Sequence, residues 1–283
     1  MRPMRLPLAW SSALLSVALF VLLVGIWQML TLPKPSKPPP GVSAEYAALM
    51  GHGAAKSDGF PTPAQVASTF IRELRHPFYD HGPNDKGIGL QLAYSLARVG
   101  AGFGLAVLVA LPLGFVIGMF PLLRRALDPF IQVLKPISPL AWMPIALYTL
   151  KNADVSGVFV IFICSIWPML VNTAFGVASV RRDWLNVART LEVGAFKRAF
   201  QVILPAAAPT ILTGMRISMG IAWLVIVAAE MLVGGTGIGY FVWNEWNNLA
   251  LPSVIFAIVL IGLVGMLLDL LFARLLRLVT YAE

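Results

Sequence analysis

The sequence predicts an all-α polytopic membrane protein with six transmembrane helices, and three observations lead there. Of 283 residues, 58% are hydrophobic and only 12% charged, about half the charged share of a soluble domain. The charges cluster between uncharged runs long enough to cross a bilayer, which takes about 20 apolar residues. Finally, Lys and Arg crowd into alternate connections, which orders and orients the runs.

The first run, Leu8 to Thr31, follows Arg2 and Arg5. It exceeds the apolar core of a cleaved signal peptide, about 7–15 residues, and lacks a small-x-small exit, so a retained helix is expected. Further spans are expected near Val99–Phe120, Pro129–Leu150, Val155–Val177, Pro209–Leu232 and Val254–Leu275. Pro136, Pro139 and Pro144 interrupt the third, and each removes a helix hydrogen bond. Broken backbone at membrane depth needs partners from other helices or a polar cavity. This segment is therefore expected to face the bundle interior or the permeation path.

Arg124 and Arg125 separate spans two and three, and Arg181, Arg182, Arg189, Lys197 and Arg198 separate four and five. Arg274 and Arg277 follow the sixth. The loop from Gly234 to Ser253 has neither Lys nor Arg, and the third-to-fourth connection has only Lys151. Both termini are thus expected on the cytoplasmic side. The chain is expected to divide into a tail and first helix (1–32), an extracytoplasmic Pro-rich segment with short helices (33–97), and a permease core (98–283). Pro33–Pro40 reads as a stiff polyproline-like spacer. Val66, Phe70 and Leu74 recur every four residues, which fits an amphipathic helix on the bilayer surface or a plain packing helix.

Several function classes drop out. The net charge of +8 is explained by loops held at an anionic leaflet, without nucleic acid. The single cysteine, Cys164, excludes an intramolecular disulfide and a cysteine zinc site. None of His52, His76 and His81 lies in a span, so neither a Ser–His pair nor a metal site assembles at membrane depth. A self-sufficient ion-coupled transporter would show a carboxylate relay or an inverted duplication, and neither is visible. There is no Gly-x-x-x-x-Gly-Lys-Ser/Thr loop, so the chain itself binds no ATP or other cofactor and energy must enter from a partner.

Charged residues inside spans are candidate functional groups by default. Arg216 and Lys135 each sit about two turns into a span, and either offers the positive potential that an anion needs. Lys135 also reads as snorkelling to headgroups, and Arg216 as pairing with a carbonyl or headgroup. Arg98, at the outer mouth, reads as drawing anions in or as snorkelling. Glu230 would repel an anion, so it is expected to bind the Gly234–Gly239 turn or close an outer gate. Asn172, Thr173, Ser218 and Trp223 complete the translocation-path candidates, with helix packing as the competing role.

The loop 178–206 carries the strongest signal. Trp184, Val187, Leu191, Phe196, Phe200, Val202 and Ile203 recur at helical spacing among basic residues. This predicts two short helices joined around Val193–Gly194, either docking a cytoplasmic partner or lying passively at the interface.

Here the chain resembles the permease subunits of binding-protein-dependent ATP-binding cassette importers, whose coupling loop carries a Glu-Ala-Ala…Gly…Ile-x-Leu-Pro pattern. Ala188, Leu191, Leu204 and Pro205 match it; Asn186 stands at the acidic position and Glu192 at the glycine position, with Gly194 two residues later. Longer motifs resemble the nitrate/nitrite members of the nitrate–sulfonate–taurine group. They include Pro77-Phe-Tyr-Asp80, Gly82-Pro-Asn-Asp-Lys-Gly87, Ser95-Leu-Ala-Arg-Val99 and Pro136-Ile-Ser-Pro-Leu-Ala-Trp-Met-Pro144. Ile161–Pro168, Ala222–Met231 and Trp243–Asn248 continue the series.

The resemblance implies a type I importer permease fold with cytoplasmic coupling helices, in a bacterial inner membrane. It implies a second permease copy, two cytoplasmic ATPase domains that bind ATP and Mg, and an extracytoplasmic substrate-binding protein. Asn186, Ala188, Leu191, Glu192, Gly194, Phe196, Phe200, Leu204 and Pro205 become the ATPase-coupling candidates. The expected cargo is a small oxyanion, nitrate or nitrite first, with bicarbonate, cyanate and sulfonates as related cargoes.

Overall fold

The computed structural model describes residues 8–31, 60–82 and 85–279. Arg2, Arg5, His52 and the Pro33–Pro40 spacer lie outside them. Among the described residues the chain is helical, and its single β feature is the isolated bridge between Asp80 and Lys86. Two compact units divide the chain.

The first unit holds Met1–Arg75 and Glu245–Phe256. Helix α1 (Leu8–Leu30) has 23 residues, about 35 Å and enough to cross a bilayer. Leu14, Phe20, Leu23 and Leu30 are all exposed, an apolar surface that suits lipid. Helix α2 (Pro63–Arg75) starts with a capping box. The Thr62 N–H donates to Gln65 Oε1 (2.9 Å) and the Gln65 N–H to Thr62 Oγ1 (3.3 Å). Phe70 meets Phe256 edge to face at 4.6 Å, and Val66 and Thr69 are buried, so α2 is a packing helix.

The second unit, His76–Asn244 and Ala257–Glu283, contains α3 (Ile88–Met119), α4 (Pro121–Leu134), α5 (Pro139–Leu150) and α6 (Ala153–Ala178). It continues with α7 (Arg182–Thr190), α8 (Ala195–Arg198) and α9 (Leu204–Val233). Helices α10 (Ile238–Asn247) and α11 (Leu251–Val279) complete the chain. Helix α3 begins eleven residues before the expected second span, because Gln91, Ser95 and Arg98 lower its hydropathy there. Other helices and the α9–α10 turn supply the partners that make those polar groups tolerable.

Helices α3 and α6 run parallel. Gly102, Ala106, Ala110, Gly114 and Gly118 form a four-residue ladder of small side chains along α3, letting the two backbones approach closely. A Cβ at Gly102 would lie 2.7 Å from Ile161, one at Gly114 2.7 Å from Thr173, and one at Gly118 2.6 Å from the Ala174 carbonyl. Gly114→Ala is therefore expected to cost ~1–3 kcal/mol by overpacking. It should lower the unfolding temperature of the detergent-solubilised protein, whereas Gly100→Ala, with open space around its Cβ, should not.

Helix α9 packs antiparallel to α6, with Ser218 against Ser165 and Gly176 against Ala207 and Thr210. Because α3 and α6 are parallel, the chain between them must return along the bundle. It does so as α4 and α5, bent by 91°. The third span is thus not one kinked helix starting near Pro129, as the sequence suggests. It starts at Pro121, breaks at residues 135–138 and resumes at Pro139. Pro136 lies in the break and Pro139 opens α5, where a missing N–H is harmless. Among the described residues five helices are long and apolar enough to span, and the bent pair, counted as one span, makes six.

Candidate functional site

At one end of the second unit, the starts of α3 and α6 meet the end of α9. Glu230, 3% exposed, is the centre of a polar cluster. Ser95 donates to its carboxylate at 2.8 Å, Arg98 Nη1 at 2.7 Å and the Gly239 N–H at 3.0 Å. Arg98 also donates to Asp154 at 2.6 Å and to the Thr236 carbonyl at 2.6 Å. Gln91 accepts from the Gly237 N–H and Ser95 from the Ile238 N–H, so the turn after α9 is fastened on both sides. Gly237 has φ 129°, and a Cβ there would overlap the Glu230 carboxylate. The adjoining cavity, about 20 Å³, holds one water at most. One guanidinium shared by two carboxylates offers an anion no net attraction. The cluster ties three helix ends together.

At the opposite end, Val177, Val180, Ile203, Ala207 and Ile211 form a small core that seats the loop 178–206. Leu185 packs against it and Ala188 is buried, while the other face of the loop is bare. Trp184, Val187, Leu191, Phe196 and Phe200 are exposed, Phe196 by 76% and Leu191 by 70%. The Phe196 and Phe200 rings stack on one another at 4.7 Å. Arg181 lies over Trp184 at 5.9 Å, and Asn186, Arg189 and Lys197 are also exposed. The result is an apolar ridge rimmed by cations.

The ridge is held by two backbone devices. Helix α7 ends in a Schellman motif: the Val193 N–H donates to the Ala188 carbonyl (3.0 Å) and the Glu192 N–H to that of Arg189 (2.9 Å). Glu192, the residue at the family's glycine position, has φ 53°. The left-handed cap is kept although its glycine is gone. Gly194, with φ −56°, does not take over that conformation. Glu192→Gly is expected to raise stability by up to about 1 kcal/mol, and Glu192→Val to lower it, in thermal unfolding.

The second device departs from the expected pair of short helices. Helix α8 passes through a π-helical turn, Ala199–Ile203, directly into α9. The Leu204 N–H reaches back five residues to Ala199, and Pro205 has no N–H with which to close an ordinary turn. Phe196 and Phe200 therefore ride on an extension of a spanning helix.

Arg216 forms a two-pronged ion pair with Asp269 of α11, both bonds 2.5 Å. Sequence reasoning missed Asp269, although a lone carboxylate in the sixth apolar run was a readable signal. Arg216 lies about 18 Å along α9 from Leu204. The pair is partly exposed on the single chain, which at that depth points to protein or water beside it rather than lipid. The other translocation candidates lie between helices. Ser218 donates to the Ser165 carbonyl at 2.7 Å and Trp223 to that of Ile261 at 3.0 Å. Asn172 donates to the Pro168 carbonyl at 2.8 Å, and Thr173 is buried under Gly114 with its hydroxyl unpartnered.

Residues 110–281 match the family described as the binding-protein-dependent transport system inner membrane component. The nitrate import permease protein NrtB of Synechocystis sp. is 45% identical over 228 residues, covering 81% of this chain and 83% of that one. Its counterpart from Leptolyngbya laminosa is 41% identical over 254 residues, 90% of this chain and 82% of that one. The bicarbonate transport system permease protein CmpB of Synechocystis sp. is 45% identical over 197 residues, 69% of this chain and 70% of that one. The fold matches the MetNI methionine ABC transporter in an inward-facing conformation, with TM-score 0.59 and 14% identity over 67% of this chain and 94% of that one.

With the family pattern spread over most of its length and the same helical architecture, this chain belongs to the inner-membrane components of binding-protein-dependent transport systems, and is a multi-pass, non-catalytic permease subunit of an ATP-binding cassette transporter.

Proposed function

We propose that the chain is the membrane-crossing half of an ATP-driven importer for nitrate or nitrite. Two copies enclose the path, two ATPase domains dock on the 182–205 ridge, and a binding protein delivers cargo at the end where Arg98 and Glu230 meet. The ridge is then cytoplasmic, as the basic residues around it suggest. The observation that carries the substrate is the similarity to nitrate import permeases, which extends over 81% and 90% of the chain, against 69% for the bicarbonate permease.

Two features support two copies. The partly exposed Arg216–Asp269 pair needs a non-lipid neighbour. Thr213, Ile217, Gly220 and Leu224 form an exposed stripe on α9 at helical spacing.

The geometry also suggests how work enters. Closure of the ATPase domains would move the ridge as a rigid body, and the continuous α8–α9 element would carry that motion to the pore. Around the path, Arg216 is compensated by Asp269, so an anion crossing there meets a weak, reversible attraction.

The test is uptake into vesicles containing the permease, its ATPase and its binding protein. Nitrate should accumulate only with ATP inside the ATPase compartment, and nitrite should compete. Bicarbonate accumulation without nitrate accumulation would assign the chain to the other cargo.

A further inference from the structure

A cleft of about 140 Å³ opens where α4 breaks and α5 begins. We infer that this cleft, lined by Lys135, Trp142, Cys164 and Trp167, is a transit site for a small oxyanion on its way through the permease. The inference deepens the reading above and rests on it.

Three observations carry it. The first is charge. Arg98 faces Asp154 and Glu230, and Arg216 faces Asp269. The Lys135 ammonium has neither a carboxylate nor a hydrogen-bond partner among the described residues, its backbone N–H alone being used, on the Ile131 carbonyl. Its ammonium therefore keeps its full charge at the α4–α5 break, where an anion would gain from it.

The second is the unused donors. Trp27 and Trp223 each spend the indole N–H on a carbonyl. Trp142 and Trp167 have no hydrogen-bond acceptor among the described residues, and both line the cleft. Buried or half-buried indoles normally find a partner. An oxyanion supplies one to each.

The third is the backbone. The 91° bend leaves residues 135–138 outside both helices, and Pro139, the first residue of α5, is part of the lining. The positive end of a 12-residue helix therefore borders the same space as the ammonium. The volume is several times the ~10–15 Å³ that one water needs on this measure, enough for a planar oxyanion with part of its hydration. One ammonium and two indoles bind an anion without the bidentate grip of an arginine, which suits a site that must let go.

Cys164, the single cysteine of the chain, lines the cleft and serves as a built-in reporter. In the assembled complex, a negatively charged methanethiosulfonate should modify Cys164 several times faster than a positively charged one. Saturating nitrate should slow that reaction, and Lys135→Gln should remove both the charge preference and the protection. In vesicles, Lys135→Gln should lower nitrate uptake roughly tenfold or more, the effect of losing one charged hydrogen bond. Binding-protein-stimulated ATP hydrolysis should persist, and Lys135→Arg should restore the charge preference and the protection at Cys164.

Wild-type nitrate uptake together with unchanged uptake in Lys135→Gln and no protection of Cys164 would overturn the site while leaving the importer reading intact. If the wild-type complex moves bicarbonate instead of nitrate, the cargo reading fails. Protection of Cys164 by bicarbonate would then still support the site, and its absence would overturn it.

Discussion

Phe200→Ala is expected to abolish ATP-driven uptake while the permease still inserts and folds, and Phe196→Ala to weaken it severely. Both rings stand clear of the chain, 4.7 Å apart, so their removal opens no cavity in the core. Truncating a central aromatic in a docked interface costs ~2–4 kcal/mol, a loss of roughly thirtyfold to a thousandfold in affinity. Phe200 also lies in the π-helical turn, so it links docking to movement of α9. Pro205→Ala should produce a related defect by another route. It restores an N–H at the start of α9, letting the π turn relax and swinging the ridge relative to the span. Co-purification of the ATPase and cargo-stimulated ATP hydrolysis are the measurements. Wild-type coupling in all three variants would remove the ridge from the mechanism.

Arg98→Leu is expected to be the most destabilising single change in the spanning bundle. It strands the Glu230 carboxylate, 3% exposed, without its counter-charge, and it releases Asp154 and the Thr236 carbonyl. Breaking a buried pair by removing one partner costs ~3–5 kcal/mol, a large part of the whole stability of a domain at ~5–15 kcal/mol. The expected result is poor yield and a sharply lower unfolding temperature in detergent. Glu230→Gln should be milder, because a neutral amide still accepts from Ser95 and Arg98. The double variant Arg98→Leu with Glu230→Gln should recover part of the loss, since no buried charge then lacks a partner. If Arg98→Leu unfolds at the wild-type temperature, the cluster is not what holds these helix ends together.

The two readings of residues 178–206 show where sequence logic stops. Helical spacing located Trp184, Val187, Leu191, Phe196 and Phe200 of the exposed ridge, whereas Ile203, expected on the same face, is buried in the core beneath it, because period alone does not say which apolar side of a short helix is covered. The same spacing misjudged the second helix, which is continuous with α9, since a π turn leaves the apolar period almost unchanged over five residues. Likewise the sequence places Glu192 at the glycine position with Gly194 two residues later, and does not say which of them takes the left-handed turn. Only the dihedrals show that the left-handed cap stayed at Glu192.

What the sequence by itself determined was the membrane class, the long apolar helices, the alternation of basic loops and much of the exposed face of the loop 178–206. Each depends on composition or period within a window of about 20 residues, which is the length a bilayer imposes. The tertiary structure alone decided the partners: Arg98 with residues 56 and 132 positions away, Arg216 with Asp269 53 positions away, and the Lys135 ammonium with none among the described residues. Charge cancellation is a property of distance in space. Hydropathy scores every arginine alike, so it cannot tell a neutralised cation from a free one.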